Sequence, residues 1–184
     1  MTRFEELVAP LADDTERVIL GLVAALHDPE HPMGRAEFVE AATVVIGGAR
    51  SRARVLALAI VQEAVETSLG SAYLLSPAAA AGAVERDTAT LAAVVAGVLD
   101  DEQGVDATPA RMGRLARSEP LYAAQEATQG ALIAEPVIVG WTRDMEGDAC
   151  QLCRWWWREG RVWPPEHRMP THKGCACSQR PVTK

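Results

Sequence analysis

Four cysteines and a histidine near the C-terminus are the residues in this 184-residue chain whose types and spacing could do chemistry. They read Cys150-Gln-Leu-Cys153 and then, after 18 residues, His172-Lys-Gly-Cys175-Ala-Cys177. A Cys-x-x-Cys pair brings two thiolates to one ion through a tight turn, and downstream His and Cys residues can close a tetrahedron. The spacing is that of a small structural zinc site, in which five donors compete for four positions. The expected ligands are Cys150, Cys153, His172 and Cys175, with Cys177 as the main substitute. His172 and Cys175 reach a common ion if Lys173-Gly174 turns, whereas Cys175 and Cys177 point the same way in an extended segment. His167, with no cysteine close by, is a weaker donor. Two other readings stay open. Disulfides conflict with synthesis in a reducing compartment, and a redox Cys-x-x-Cys lacks the β-α-β pattern that should follow it.

All five Trp share the last 44 residues with the four Cys. A segment of that length seldom folds on a hydrophobic core alone, and bound zinc can supply on the order of 10 kcal/mol of folding free energy. Trp155-Trp156-Trp157 cannot all face one core in a helix or strand, so at least one is expected at the surface or against another chain. Trp155, Trp156, Trp157 and Trp163 are therefore candidate partner contacts, although two of them wrapping the metal site would be the plainer use. Arg154, Arg158, Arg161, Arg168 and Lys173 interleave with them, which also suits stacking on nucleic acid.

Charge divides in the same region. Residues 1–135 carry 10 Lys+Arg against 20 Asp+Glu, and residues 136–184 carry 8 against 5. A surface as acidic as the first part repels phosphate, so any contact with DNA is weakly supported. The chain has no glycine-rich phosphate loop, no nucleophile-elbow serine and no His-Glu-x-x-His helix, and no enzymatic activity is expected. Apolar runs are broken by charges before they reach membrane-span length, and the start Met-Thr-Arg-Phe-Glu-Glu-Leu is acidic where a secretory signal needs a basic and then apolar run. Cytoplasmic synthesis without a membrane role is the expectation.

The elements that must position these residues are helices. Asp13-Asp14-Thr15 can cap a helix with the apolar stripe Val18, Ile19, Leu22, Val23 and Leu26, ending by Asp28-Pro29. A longer helix runs from about Arg35 to Leu69 with Gly70 as its stop, and Gly47-Gly48 predicts a kink or break in it. Arg50, Arg52 and Arg54 read as a solvated face offset by Glu37, Glu40, Glu63 and Glu66. Further helices are expected from about Val84 to Leu99, fraying into a loop through Gly104, and from Thr108 as N-cap onward. Pro120 can kink that last helix or start a new one. Val137 to Arg143 suits a strand. The fold class is mainly α, a helical N-terminal region followed by a small zinc-stabilised α+β module. Alanine-rich helices with little side-chain bulk also point to an oligomeric or assembly context.

Several of these strings stand in one order. Arg114-Leu-Ala-Arg117-Ser-Glu119 is followed by about 20 helical residues, a strand with Gly140-Trp141, Asp148-Ala-Cys150-Gln-Leu-Cys153, Gly160-Arg-Val-Trp163, and Pro170-Thr-His172-Lys-Gly-Cys175-Ala-Cys177. The arrangement resembles the C-terminal domain of the phage Mu protein F-like family, the minor head or head-morphogenesis proteins of tailed bacteriophages. Ser118 stands where that family usually has Thr, and Ala176 where Arg is common. The match covers residues 108–184, with helices over 108–135 and the zinc module over 137–184, and leaves 1–107 as a helical region of unassigned role. The resemblance implies a virion protein present in few copies, acting in head assembly inside the capsid with portal or capsid protein as partner. Because the chain ends seven residues past Cys177, no toxin or enzyme cargo is expected after the module. Arg114, Arg117 and Glu119 form the motif expected to dock the helix onto the zinc module, through Arg117 or Glu119.

Overall fold

The computed structural model describes residues 1–81, 88–100 and 107–184. The chain opens with α1 (Arg3–Leu7), started by a reciprocal cap in which the Glu5 amide donates to Thr2 Oγ1 at 3.0 Å and the Thr2 amide to the Glu5 carboxylate at 3.1 Å. Helix α2 (Ala9–Leu26) follows almost at once. It begins upstream of the expected Asp13-Asp14-Thr15 cap because Pro10 already sits in its first turn, where a missing N–H costs nothing. Thr15 is buried inside the helix, its hydroxyl donating back to the Leu11 carbonyl at 2.7 Å.

Helix α3 (Arg35–Leu69) ends where the sequence places the stop, with Gly70 in the left-handed region at φ 66° and its N–H on the Glu66 carbonyl. The expected break is absent, since the helix runs unbroken through Gly47-Gly48. A neighbouring helix packs there, and a Cβ added at Gly47 would meet Leu91 at 3.8 Å. The intrinsic cost of glycine is outweighed by burial of the helix face, as is usual for helices in a folded chain. Helix α4 (Pro77–Ala81) and α5 (Thr88–Asp100) come next. The start expected near Val84 and the loop through Gly104 lie outside the described residues.

Helix α6 (Thr108–Ala134) is the centre of the molecule and packs along both α3 and α2. Ala107, not Thr108, precedes it as the cap and brings no side-chain bond, while Thr108 is a buried first residue. Pro120 neither ends nor restarts the helix, and it is buried in mid-span. Tertiary packing on both sides holds the turn that proline leaves without a hydrogen bond. Three buried clusters line the helix. Ile19, Phe38, Ile46, Leu91 and Met112 make one. Phe4, Val8, Ala53, Ala57, Ala124 and Ala127 make the second, in which the four alanines form a seam of small side chains between α3 and α6. Val61, Val65, Leu132, Ile138 and Trp141 make the third, and each cluster joins residues on either side of Thr108.

Beyond α6 lie β1 (Ile138–Asp144), α7 (Gln151–Trp157) and β2 (Ser178–Thr183). The two strands form an antiparallel ribbon with Trp141 opposite Pro181 and Arg143 opposite Gln179. On its other edge β1 makes one bridge to Trp163, with amide-to-carbonyl bonds of 2.8 Å in both directions. Gly140 permits that approach, for a Cβ there would lie 2.6 Å from the Trp163 carbonyl oxygen. The fold is thus mainly helical with a small two-stranded sheet beside the Cys/His segment. Among the described residues no helix is long and apolar enough to cross a membrane.

The basic run on α3 is not a uniformly solvated face. Arg52 is exposed, but Arg50 is buried and its guanidinium bonds the carboxylate of Glu119 on α6, itself buried, with Glu126 at 3.7 Å. The acids near in sequence do not serve it, because its side of α3 faces α6. A buried pair of this kind adds little net stability over an apolar pair, yet removing one partner strands the other charge at a cost of about 3–5 kcal/mol. Arg50→Ala and Glu119→Ala should each lower the free energy of urea unfolding by about that amount. The double replacement Arg50→Met with Glu119→Leu should recover most of the loss.

Candidate metal centre

The donors sit on two short stretches that α6 and β1 hold face to face. Cys150 is the N-cap of α7 with extended backbone (φ −68°, ψ 168°), and Cys153 lies one turn into that helix and is fully buried. A single helical turn therefore aims both thiols the same way. The second stretch turns at Lys173-Gly174, as the spacing required: the Cys175 amide bonds the His172 carbonyl at 3.1 Å, and Gly174 takes φ 77°. Only a residue tolerant of the left-handed region closes that turn without strain.

The His172 Nε2 atom lies 3.2 Å from both Cys150 Sγ and Cys153 Sγ, and Cys153 Sγ lies 3.6 Å from Cys175 Sγ. Zinc–sulfur bonds of about 2.3 Å and zinc–nitrogen bonds of about 2.0 Å place tetrahedral neighbours about 3.5–3.8 Å apart. The His172 Nδ1 atom faces the Lys173 carbonyl at 3.1 Å. A proton held there leaves the Nε2 lone pair for a cation, the usual way a ligating histidine is oriented. The Cys153–Cys175 distance, the donor types and the histidine orientation fit a thiophilic divalent ion, and the two His172 contacts at 3.2 Å would open by about 0.3 Å to admit it.

The close donors form two overlapping sets. Cys150, Cys153 and His172 lie within 4.8 Å of one another, and so do Cys153, Cys175, Cys177 and Glu146. All five expected donors are thus brought to one place, with Cys153 common to both sets. Glu146 is a residue that sequence reasoning missed. Its carboxylate accepts from the Ala176 amide at 3.4 Å and from the Cys177 thiol at 3.8 Å. It stands between Asp144 and Asp148 with no motif spacing to single it out.

The thiols differ in acidity. The Cys153 amide directed at Cys150 holds that thiol below the ordinary cysteine range, a bias that burial opposes. Burial, reinforced by Cys177, pushes Cys153 up to about 12. The contact between Cys175 and Cys177 keeps Cys175 low and, together with burial, Cys177 high. The buried guanidinium of Arg143 is a nearby positive group, with Nη1 3.8 Å from Cys153 Sγ, and it also bonds the Pro170 carbonyl and lies 5.4 Å from the Trp156 ring centroid.

Helix α6 supports the cluster through residues other than the expected pair. The Gln125 side-chain amide donates to the carbonyls of both Cys175 and Cys177 at 2.9 Å, and Gln129 bonds the Pro165 carbonyl and accepts from Gln179. Glu119 points its carboxylate at Arg50 of α3, so it serves the helix bundle. Arg117 pairs with Asp13 on α2, and its Nε lies 4.0 Å from where a Gly174 Cβ would stand, which puts the guanidinium beside the cysteine turn. Arg114 lines a cleft with Ser118, Tyr122 and Lys173 at the same junction.

The tryptophans divide by role. Trp156 packs on the cysteine cluster, and Trp163 stacks on His167 at 4.2 Å and has the Arg161 guanidinium 4.3 Å from its ring centroid. Trp155 is 63% exposed and Trp157 37%. Both line an open cleft with Arg154, Arg158 and Arg161. The turn after α7 puts Arg158 and Glu159 in the left-handed region, at φ 50° and 57°, a strained backbone for non-glycine residues.

Scans against family models, curated proteins and solved structures found no match for this chain.

Two outcomes follow from this geometry. Gln125→Leu should destabilise the C-terminal segment by about 1–3 kcal/mol, because two buried carbonyls lose their donor. Hydrogen exchange at residues 175–179 should accelerate more in that variant than in Arg117→Ala. Because Cys153 keeps its proton in the metal-free state, zinc binding at neutral pH must release protons and must weaken as pH falls. Calorimetric titration in buffers of different ionisation enthalpy would read the proton count directly.

Proposed function

We propose that residues 137–184 form a zinc-stapled structural module, and that the protein is a non-catalytic minor head protein of a tailed bacteriophage. It would act in head morphogenesis inside the capsid, near the portal, with portal or capsid protein as its partner. The observation that carries this reading is the meeting of the two halves of the sequence resemblance. The helix with Arg114, Arg117 and Glu119 also carries Gln125, which bonds the Cys175 and Cys177 carbonyls of the His-x-x-Cys-x-Cys string, and that string meets the Cys-x-x-Cys string at 3.2 Å (His172 to Cys153) and 3.6 Å (Cys175 to Cys153). Cys150, Cys153 and His172 would hold the ion together with Cys175 or Cys177, and zinc is favoured because thiolate and imidazole ligands in a tetrahedral array suit it. When bound, the ion supplies cross-linking free energy to a segment whose own core is small.

In this role the helices provide the attachment surface and the metal module fixes the orientation of the exposed tryptophans. Trp155 and Trp157 beside Arg154 and Arg158 form an aromatic and basic surface of the composition that dominates protein interfaces. The same surface supports a second reading, a zinc-dependent nucleic-acid-binding module in which bases stack on Trp155. Nuclease treatment separates the two.

Two measurements test the proposal. Elemental analysis of the purified protein should find zinc, and a chelator should lower its melting temperature. A tagged copy expressed with the other head genes should co-purify with the portal protein after nuclease digestion. Metal-free protein that melts unchanged with chelator would overturn the zinc module, and binding that depends on DNA and falls steeply with salt would favour the second reading.

A further inference from the structure

The six donors are more than one tetrahedral ion can use, and their arrangement is that of two adjoining sites. Only Cys153 belongs to both sets, 3.2 Å from His172 Nε2 on one side and 3.6 Å from Cys175 Sγ on the other. We propose that the cluster is a two-ion centre, in which a second thiophilic divalent cation seats among Glu146, Cys153, Cys175 and Cys177, with the Cys153 thiolate shared between the ions. This rests on the zinc reading above, adds one ion to it, and gives the first ion a water in place of Cys175 or Cys177.

The second set is the more complete of the two. It offers three thiol sulfurs and a carboxylate, all within 4.8 Å of one another, which is a full tetrahedral complement without solvent. Its three cysteines are each fully buried, whereas Cys150 in the first set is exposed, so water can take the remaining position there. Its backbone is fixed in advance. The Gln125 amide pins the carbonyls on both sides of Ala176, and the Ala176 amide draws Glu146 inward. The Cys175 and Cys177 thiols lie within 4.8 Å of each other and of Cys153 and Glu146, so they face one ion together.

Charge favours the pair as well. Two divalent ions against four thiolates and one carboxylate leave a single negative charge, and the buried Arg143 guanidinium 3.8 Å from Cys153 Sγ balances it. With a single ion, one buried cysteine and Glu146 remain beside the metal as a protonated thiol and an unligated carboxylate. Buried charges persist in proteins when they are compensated in this way.

The test is the zinc stoichiometry of the full chain. Protein purified in excess zinc and then desalted is measured by native mass spectrometry and elemental analysis, alongside Glu146→Gln and Cys177→Ser, with circular dichroism as the check on folding. Two zinc ions per wild-type chain and one in Glu146→Gln are the expected result. Glu146 is only half-buried and its Gln variant keeps an acceptor for the Ala176 amide, so this variant remains informative if Cys177→Ser fails to fold. One ion per wild-type chain would overturn the second site and leave the single-ion module standing. No bound ion would overturn both, and two ions retained in Glu146→Gln would remove Glu146 from the assignment and with it the proposed site.

Discussion

The bond from one side chain on α6 to two carbonyls of the cysteine strand is the constraint on which the rest of the C-terminal half depends. Gln125 reaches both Cys175 and Cys177. It fixes the second donor stretch against the bundle together with Ala176, which packs among Phe4, Leu121 and Ala124, and with the Gln179–Gln129 bond that holds the start of β2. Since α6 is packed along α3 and α2, the bundle and the metal-ligating loops share a single rigid reference. Backbone carbonyls of a loop too short to form regular structure need partners when buried, and a helix-borne amide is an economical one.

Much of this was legible in the sequence, and the failures have physical causes. The ends of α3, the strand at residues 138–144 and the convergence of Cys150, Cys153, His172, Cys175 and Cys177 follow from local rules: a left-handed glycine, β-branched and aromatic composition, and ligand spacing. Gly47-Gly48 does not break its helix and Pro120 does not start a new one, because propensity is a property of an isolated helix, whereas Gly47 faces Leu91 and Pro120 is buried. Arg50 misled for the same reason. Its partner Glu119 is 69 positions away, while the acids that looked available were near in sequence and on the wrong side of the helix.

The site shows a similar division. Cysteine and histidine announce themselves, because few other uses explain their spacing. Glu146 and Gln125 do not, since an acid between two others and a glutamine on a helix carry no pattern. Their roles arise from the approach of α6 and of the β1 end to the cysteine strand. The motif Arg117-Ser118-Glu119 marked the right helix, although Glu119 faces α3 and the adjacent turns of α6 make the direct bonds to the loops.

The alanine seam between α3 and α6 has a consequence of its own. Ala53 and Ala57 are packed with Ala124 and Ala127, all fully buried, so α3 and α6 meet there through methyl groups. The tolerance of such a contact is one-sided. A side chain can lose almost nothing more, but any that gains volume forces the two longest helices apart. Sequence drift at these positions therefore has a steric ceiling and almost no floor. The bundle is held to its present spacing by the smallness of the residues at its centre, so the distance from α3 to the metal-ligating loops is fixed by what cannot be added.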